Sequence, residues 1–116
     1  MKNFVLYNPR CGNCRDTLEI LKKEDADVEV VEYLKDPPSE KTLRDVCKLL
    51  KLRPYDIVRQ KEPRFAELKL ADVKPDDDAR WFGILAANPI LIQRPIVVYQ
   101  GKAAVCRPPE NVRGLL

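Results

Sequence analysis

The chain has 116 residues, 45% hydrophobic and 34% charged, the balance of a folded globular protein rather than a disordered or fibrous one. Its 21 basic and 18 acidic residues leave a net charge of +3, too even to argue for direct nucleic-acid binding. Histidine is absent, which excludes a histidine general base, a Cys-His nucleophilic pair and the common mixed zinc sites.

The length suits one domain over residues 1–116. No apolar run approaches the roughly 20 residues of a membrane span, and the N-terminus lacks a secretory pattern, so a cytoplasmic protein without membrane contact is expected. Residues 3–7 read as a buried strand, and Asn8-Pro9-Arg10 as the turn that follows it. Residues 15–23 read as a helix with Leu18, Ile20 and Leu21 toward the core. Residues 28–34 are rich in β-branched side chains and predict a second strand, parallel to the first across a right-handed crossover.

Pro37-Pro38-Ser39 ends that strand and starts a helix, with Ser39 as N-cap. Leu43, Val46, Cys47 and Leu50 recur at helical spacing, which places Cys47 on the apolar stripe as a packing residue. Pro54, Pro63 and Pro75 divide the next stretch into short pieces. Asp76-Asp77-Asp78 suits the start of a helix through Trp81, Phe82 and Leu85 better than a metal loop, and residues of about 39–88 form a helical insertion. Ile90-Leu91-Ile92 turns strand-like, and Ile96 to Tyr99 predicts a strand. Gln100-Gly101 offers a tight turn to a returning strand over 103–106. Arg107-Pro108-Pro109-Glu110 then opens a short terminal helix.

The chemistry-bearing motif is Cys11-Gly12-Asn13-Cys14, between the first strand and the first helix. Unpaired N–H groups and the helix dipole at such a junction favour a thiolate. Cys11 is therefore the candidate nucleophile, and Cys14 is either a resolving thiol or a helix-packing residue. Arg10, beside Cys11, is a secondary candidate for lowering its pKa or an ordinary exposed arginine. Pro95 precedes a strand facing the thiol, where a cis bond would shape the site. Cys106 is expected to pack. A C-x-x-C in a βαβ setting is a redox signature, and the element order is that of an α/β thioredoxin-like fold: a four-stranded mixed sheet flanked by helices, with an inserted helical subdomain.

Five segments in order, Tyr7-Asn8-Pro9-Arg10-Cys11, Tyr33-Leu34-Lys35-Asp36-Pro37-Pro38, Arg59-Gln60-Lys61, the PILIQRPIVV run over 89–98 and Cys106-Arg107-Pro108-Pro109-Glu110, resemble the ArsC arsenate reductase family of the glutaredoxin-linked kind. The resemblance implies that Cys11 attacks arsenate, that Arg59, Arg94 and Arg107 hold the oxyanion, and that glutathione serves as co-substrate with glutaredoxin as its partner. It requires no bound metal or organic cofactor. Two departures stand out. Tyr7 occupies a place where better-known members often carry histidine, and Cys14 one where many carry serine. A thiol at position 14 opens the possibility of an internal disulfide and a thioredoxin-type donor. Two other readings stay open: a redox-sensing regulator of the Spx type that binds RNA polymerase, and a general thiol-disulfide reductase using Cys11 and Cys14.

Overall fold

The computed structural model describes residues 2–116, which divide into two compact units, 2–36 with Arg94–Leu116, and Pro37–Gln93. The first unit holds strands β1 (Phe4–Tyr7), β2 (Glu29–Glu32), β3 (Ile96–Tyr99) and β4 (Lys102–Val105) in the order β2-β1-β3-β4, with helix α1 (Gly12–Lys23) and a terminal 3₁₀ segment (Pro109–Leu115). β1 pairs in parallel with β2 and antiparallel with β3, and β3 pairs antiparallel with β4. This is the mixed sheet of the thioredoxin-like fold.

Local chemistry accounts for these elements. The central strands β1 and β3 are buried along three of their four residues, as expected where apolar runs are covered on both faces. The β3–β4 turn places Gln100 and Gly101 at φ of 51° and 74°, the left-handed pair that a tight hairpin needs. Asn3 Oδ1 accepts from the Gln100 N–H at 2.9 Å and ties that turn to the start of β1. Leu21 of α1 packs with Val5, Val97, Cys106, Val112 and Leu115, while Leu18 and Ile20 flank this cluster half-buried.

In three places the elements differ from those read in the sequence. The first helix starts at Gly12, three residues early, and buries Cys14, Thr17 and Leu21; Thr17 tolerates that burial because its hydroxyl donates to the Asn13 carbonyl at 2.7 Å. β2 ends at Glu32, whose carbonyl accepts from both Lys35 and Asp36 N–H, and as an edge strand it leaves Glu29, Val30 and Glu32 exposed. Ile90-Leu91-Ile92 forms no strand. Pro89 opens a 3₁₀ turn over Pro89–Leu91, and a single bridge joins Ile92 to Val58. The fixed φ of proline suits the first residue of such a turn and not a strand ladder.

The second unit contains α2 (Glu40–Leu50), α3 (Pro63–Glu67) and α4 (Asp78–Ala87), linked by short 3₁₀ turns. Ser39 caps α2, its Oγ accepting from the Thr42 N–H at 3.1 Å, and Asp77 caps α4 by accepting from the Arg80 N–H. Leu43, Val46 and Cys47 form the buried stripe of α2. Trp81 centres an aromatic cluster, 5.2 Å from the Tyr55 ring edge-on and 6.3 Å from the Phe65 ring in a stack. No helix among the described residues is long and apolar enough to cross a membrane.

Candidate active site

Asn8-Pro9-Arg10 folds onto itself before α1 begins. Asn8 is buried, its side-chain Oδ1 accepts from the Arg10 N–H at 3.0 Å, and its carbonyl accepts from the Cys11 N–H at 3.0 Å. An asparagine side chain that bonds backbone two residues on is the Asx arrangement this residue favours in turns. Arg15 Nη1 then donates to the Pro9 carbonyl at 3.0 Å, clasping the loop from the first turn of the helix. Cys11 is the N-cap residue, extended at φ −95° and ψ 119°, and half-buried.

The Cys11 thiol makes no full capping hydrogen bond to the first turn, yet its surroundings favour the charged form. Partial burial works against a thiolate, but the Cys14 N–H, the Cys14 thiol and the Arg94 guanidinium together outweigh it and hold the Cys11 pKa below the ordinary thiol value. Cys14 is in the opposite situation. It is fully buried, and burial, with the neighbouring Cys11 adding to it, pushes its thiol up to about 12. The pair therefore consists of one sulfur disposed to be negative and a neighbouring one that keeps its proton. Both are free thiols.

Arg94 reaches this pair from two residues before β3. Its Nη1 donates to the Tyr33 hydroxyl at 3.3 Å, and Tyr33 is fully buried at the turn after β2. Burial disfavours the guanidinium charge, and Tyr33 and Cys11 more than restore it, so the Arg94 pKa is raised. Arg107 approaches from the far side of the hairpin, its Nη1 donating to the Arg94 carbonyl at 2.9 Å. Asn111 Nδ2 donates to the Val105 and Arg107 carbonyls at 3.3 and 3.4 Å and steadies the backbone there. The Arg94–Pro95 and Arg107–Pro108 peptide bonds are both cis, and the Pro95 carbonyl accepts from the Cys106 N–H at 2.9 Å.

The first unit thus brings together Cys11, Cys14 and Arg94, with Arg107 held on Arg94. Arg10 lies next to Cys11 with its side chain exposed. Arg59 belongs to the second unit, where its Nε donates to Glu62 Oε1 at 3.3 Å and its N–H to the Leu91 carbonyl at 2.7 Å. Cys106 packs in the core of the first unit with its pKa pushed up to about 12 by burial. Cys47 is buried on α2, and burial, with Asp56 and Asp78 adding to it, raises its pKa to about 11. Among the described residues no group of three His, Cys, Asp or Glu side chains is placed to hold a metal ion. Sequence reasoning missed Tyr33 and Arg15. Nothing in their local pattern distinguishes them from a strand-end aromatic and a surface arginine; Asn8, by contrast, carried a turn signal in its Asn-Pro dipeptide.

The ArsC family profile matches residues 6–115 of the chain. The chain belongs to the ArsC family. It is 39% identical over 113 residues to the arsenate reductase of Neisseria meningitidis serogroup B, covering 97% of this chain and 96% of that one. It is 34% identical to the arsenate reductase of Escherichia coli K-12, with the whole of this chain and 82% of that one covered. Among solved structures, arsenate reductase from Vibrio cholerae superposes with a TM-score of 0.90 at 38% identity, covering 100% of this chain and 98% of that one. The similarity to these ArsC proteins thus spans both units.

The lowered Cys11 pKa carries its own test. Alkylation of Cys11 by iodoacetamide is expected to reach half its maximal rate below the ordinary thiol range of about 8.5. Arg94→Gln removes a cation that favours the thiolate, so the midpoint moves upward, toward higher pH. A midpoint unchanged in that variant would show that Arg94 does not act on the sulfur.

Proposed function

We propose that this ArsC protein reduces arsenate to arsenite through a covalent adduct on Cys11. The observation that carries the reading is the pairing of a thiol disposed to ionise with Arg94 at its side and Arg107 bonded to the Arg94 carbonyl. Arsenate is a tetrahedral oxyanion, and guanidinium groups donate paired, charge-assisted hydrogen bonds to such oxygens. The part expected of Arg59 rests on the family resemblance.

In the first step the Cys11 thiolate forms a bond to arsenic, and one arsenate oxygen leaves as water after taking up protons. Arg94 and Arg107 stabilise the negative charge on the remaining oxygens. A glutathione thiolate then attacks the Cys11 sulfur. The new S–S bond forms as the S–As bond breaks, its electron pair stays on arsenic, and arsenite departs. Glutaredoxin reduces the Cys11–glutathione disulfide and restores the thiol.

A second reading has an observation of its own in the second free thiol, Cys14, which neighbours Cys11 closely enough to act on its ionisation. If Cys14 attacks the Cys11 sulfur in place of glutathione, an internal disulfide forms and the donor becomes a dithiol protein of the thioredoxin kind. Arsenite formation is measured with glutathione and glutaredoxin, then with thioredoxin, for the unsubstituted protein and Cys14→Ser. Turnover kept within about threefold in Cys14→Ser with glutathione and glutaredoxin is the expected result, since Cys14 is buried and its proton is tightly held. Loss of turnover in that variant transfers the resolving role to Cys14. Absence of arsenite with every donor, while Cys11 still alkylates readily, would replace the arsenate reading with disulfide exchange or redox-dependent regulation.

A further inference from the structure

Strand register gathers three chain segments at the C-terminal end of β1. The parallel pairing of β1 with β2 runs as far as Tyr7 and Glu32, so the residues that follow, Asn8 and Tyr33, leave the sheet side by side. On the other flank Leu6 pairs with Ile96, and the same antiparallel register carried two residues further sets Arg94 level with Asn8. Tyr33 and Arg94 thus stand on either side of the loop that carries Cys11. Tyr33 is fully buried, at a turn in which the Glu32 carbonyl accepts from the Lys35 and Asp36 N–H groups at 2.9 and 3.0 Å.

The Arg94 side chain spans that end of the sheet. Its Nη1 donates to the Tyr33 hydroxyl at 3.3 Å, the guanidinium also interacts with the Cys11 sulfur, and its charge acts on Cys14. Arginine is long, and holding it in one rotamer costs conformational freedom. Tyrosine is suited to hold it: a ring packed in the interior is stiff, and the hydroxyl accepts from one arm of the guanidinium fork without cancelling its charge. A carboxylate in the place of that hydroxyl would form an ion pair and draw the charge away from the sulfur.

We propose that Tyr33 is a positioning residue, its hydroxyl fixing the Arg94 guanidinium against the Cys11 sulfur and so turning the remaining donors toward an oxyanion joined to that sulfur. This role rests on the reading of Cys11 as nucleophile with Arg94 as its cation, and it supplies the group that aims the cation. Tyr33 itself touches neither arsenate nor the reacting sulfur.

Alkylation reads the role without arsenate. The pH midpoint of iodoacetamide labelling at Cys11, located by peptide mass spectrometry, is measured for the unsubstituted protein, Tyr33→Phe, Arg94→Gln and the double variant. Phenylalanine keeps the ring and removes only the hydroxyl. If Tyr33 acts through Arg94, Tyr33→Phe raises the midpoint by about half a pH unit or more where Arg94 is present, and by less than about 0.2 pH unit beside Arg94→Gln. No rise means that the hydroxyl does not aim the cation, and an equal rise in both backgrounds means that it supports the loop by another route; either result overturns the proposal. Arg94→Lys gives a second reading with Tyr33 in place. Lysine keeps the charge but not the fork, so the midpoint is expected to approach that of Arg94→Gln, whereas one within about 0.2 pH unit of the unsubstituted protein shows that charge without orientation suffices and overturns the role. The expected midpoints together with no arsenite from any donor would uphold the aiming of Arg94 while ending the arsenate reading.

Discussion

Replacing Cys11 with serine lowers arsenate-dependent arsenite formation by about 10³-fold or more, the scale seen when a covalent nucleophile is removed. The size follows from the lack of any substitute. A serine hydroxyl at the same N-cap stays protonated near neutral pH, and the chain has no histidine to take its proton. The three remaining thiols are all buried. Burial pushes Cys14 and Cys106 up to about 12 and Cys47 up to about 11, which disfavours their thiolates at neutral pH. Arsenite release quantified in single-turnover and steady-state assays checks the prediction. A Cys11→Ser protein that keeps more than a tenth of the activity would move the nucleophile elsewhere and end the mechanism proposed above.

Trp81→Ala costs about 3–5 kcal/mol of stability, the range for removing a large buried aromatic side chain. Trp81 is fully buried and touches two rings, Tyr55 edge-on and Phe65 in a stack, and its indole N–H donates to the Lys74 carbonyl at 2.9 Å. Alanine leaves a cavity between those rings and deprives the Lys74 carbonyl of its indole donor. Trp81→Phe retains most of the ring contact and loses the N–H, so its cost is smaller, about 1–3 kcal/mol. Urea unfolding of the three proteins, followed by far-ultraviolet circular dichroism, reads the difference directly. Equal midpoints for Trp81→Ala and the unsubstituted protein would mean that the aromatic cluster does not hold the Pro37–Gln93 unit together.

The parts legible in the sequence share a short range. The strand at the N-terminus, the Ser39 cap, the apolar stripe through Cys47 and the Asp77 cap each depend on residues a few positions apart, where spacing and turn chemistry act locally. The Gln100-Gly101 hairpin is of the same kind. The Ile90-Leu91-Ile92 segment misled because three branched apolar residues satisfy a strand and a buried 3₁₀ turn equally well, and Pro89 decided between them. The early start of α1 was hidden because Gly12 and Asn13 are weak helix formers. Only the hydrogen bonds that Asn8 and Arg15 give the loop show that the helix begins at once.

The candidate site divides along similar lines. By itself the sequence determined that a thiol pair stands at a strand-helix junction, that no histidine serves it, and that the ArsC resemblance runs the length of the chain. Those conclusions need only residue identity and spacing. Tertiary structure alone decided which of the two sulfurs favours a negative charge, because that depends on burial and on a guanidinium 83 residues away along the chain from Cys11 to Arg94. It also assigned Tyr33 as the partner of Arg94 and seated Arg107 on the Arg94 carbonyl. Desolvation and charge act through space, over distances that only the folded sheet sets.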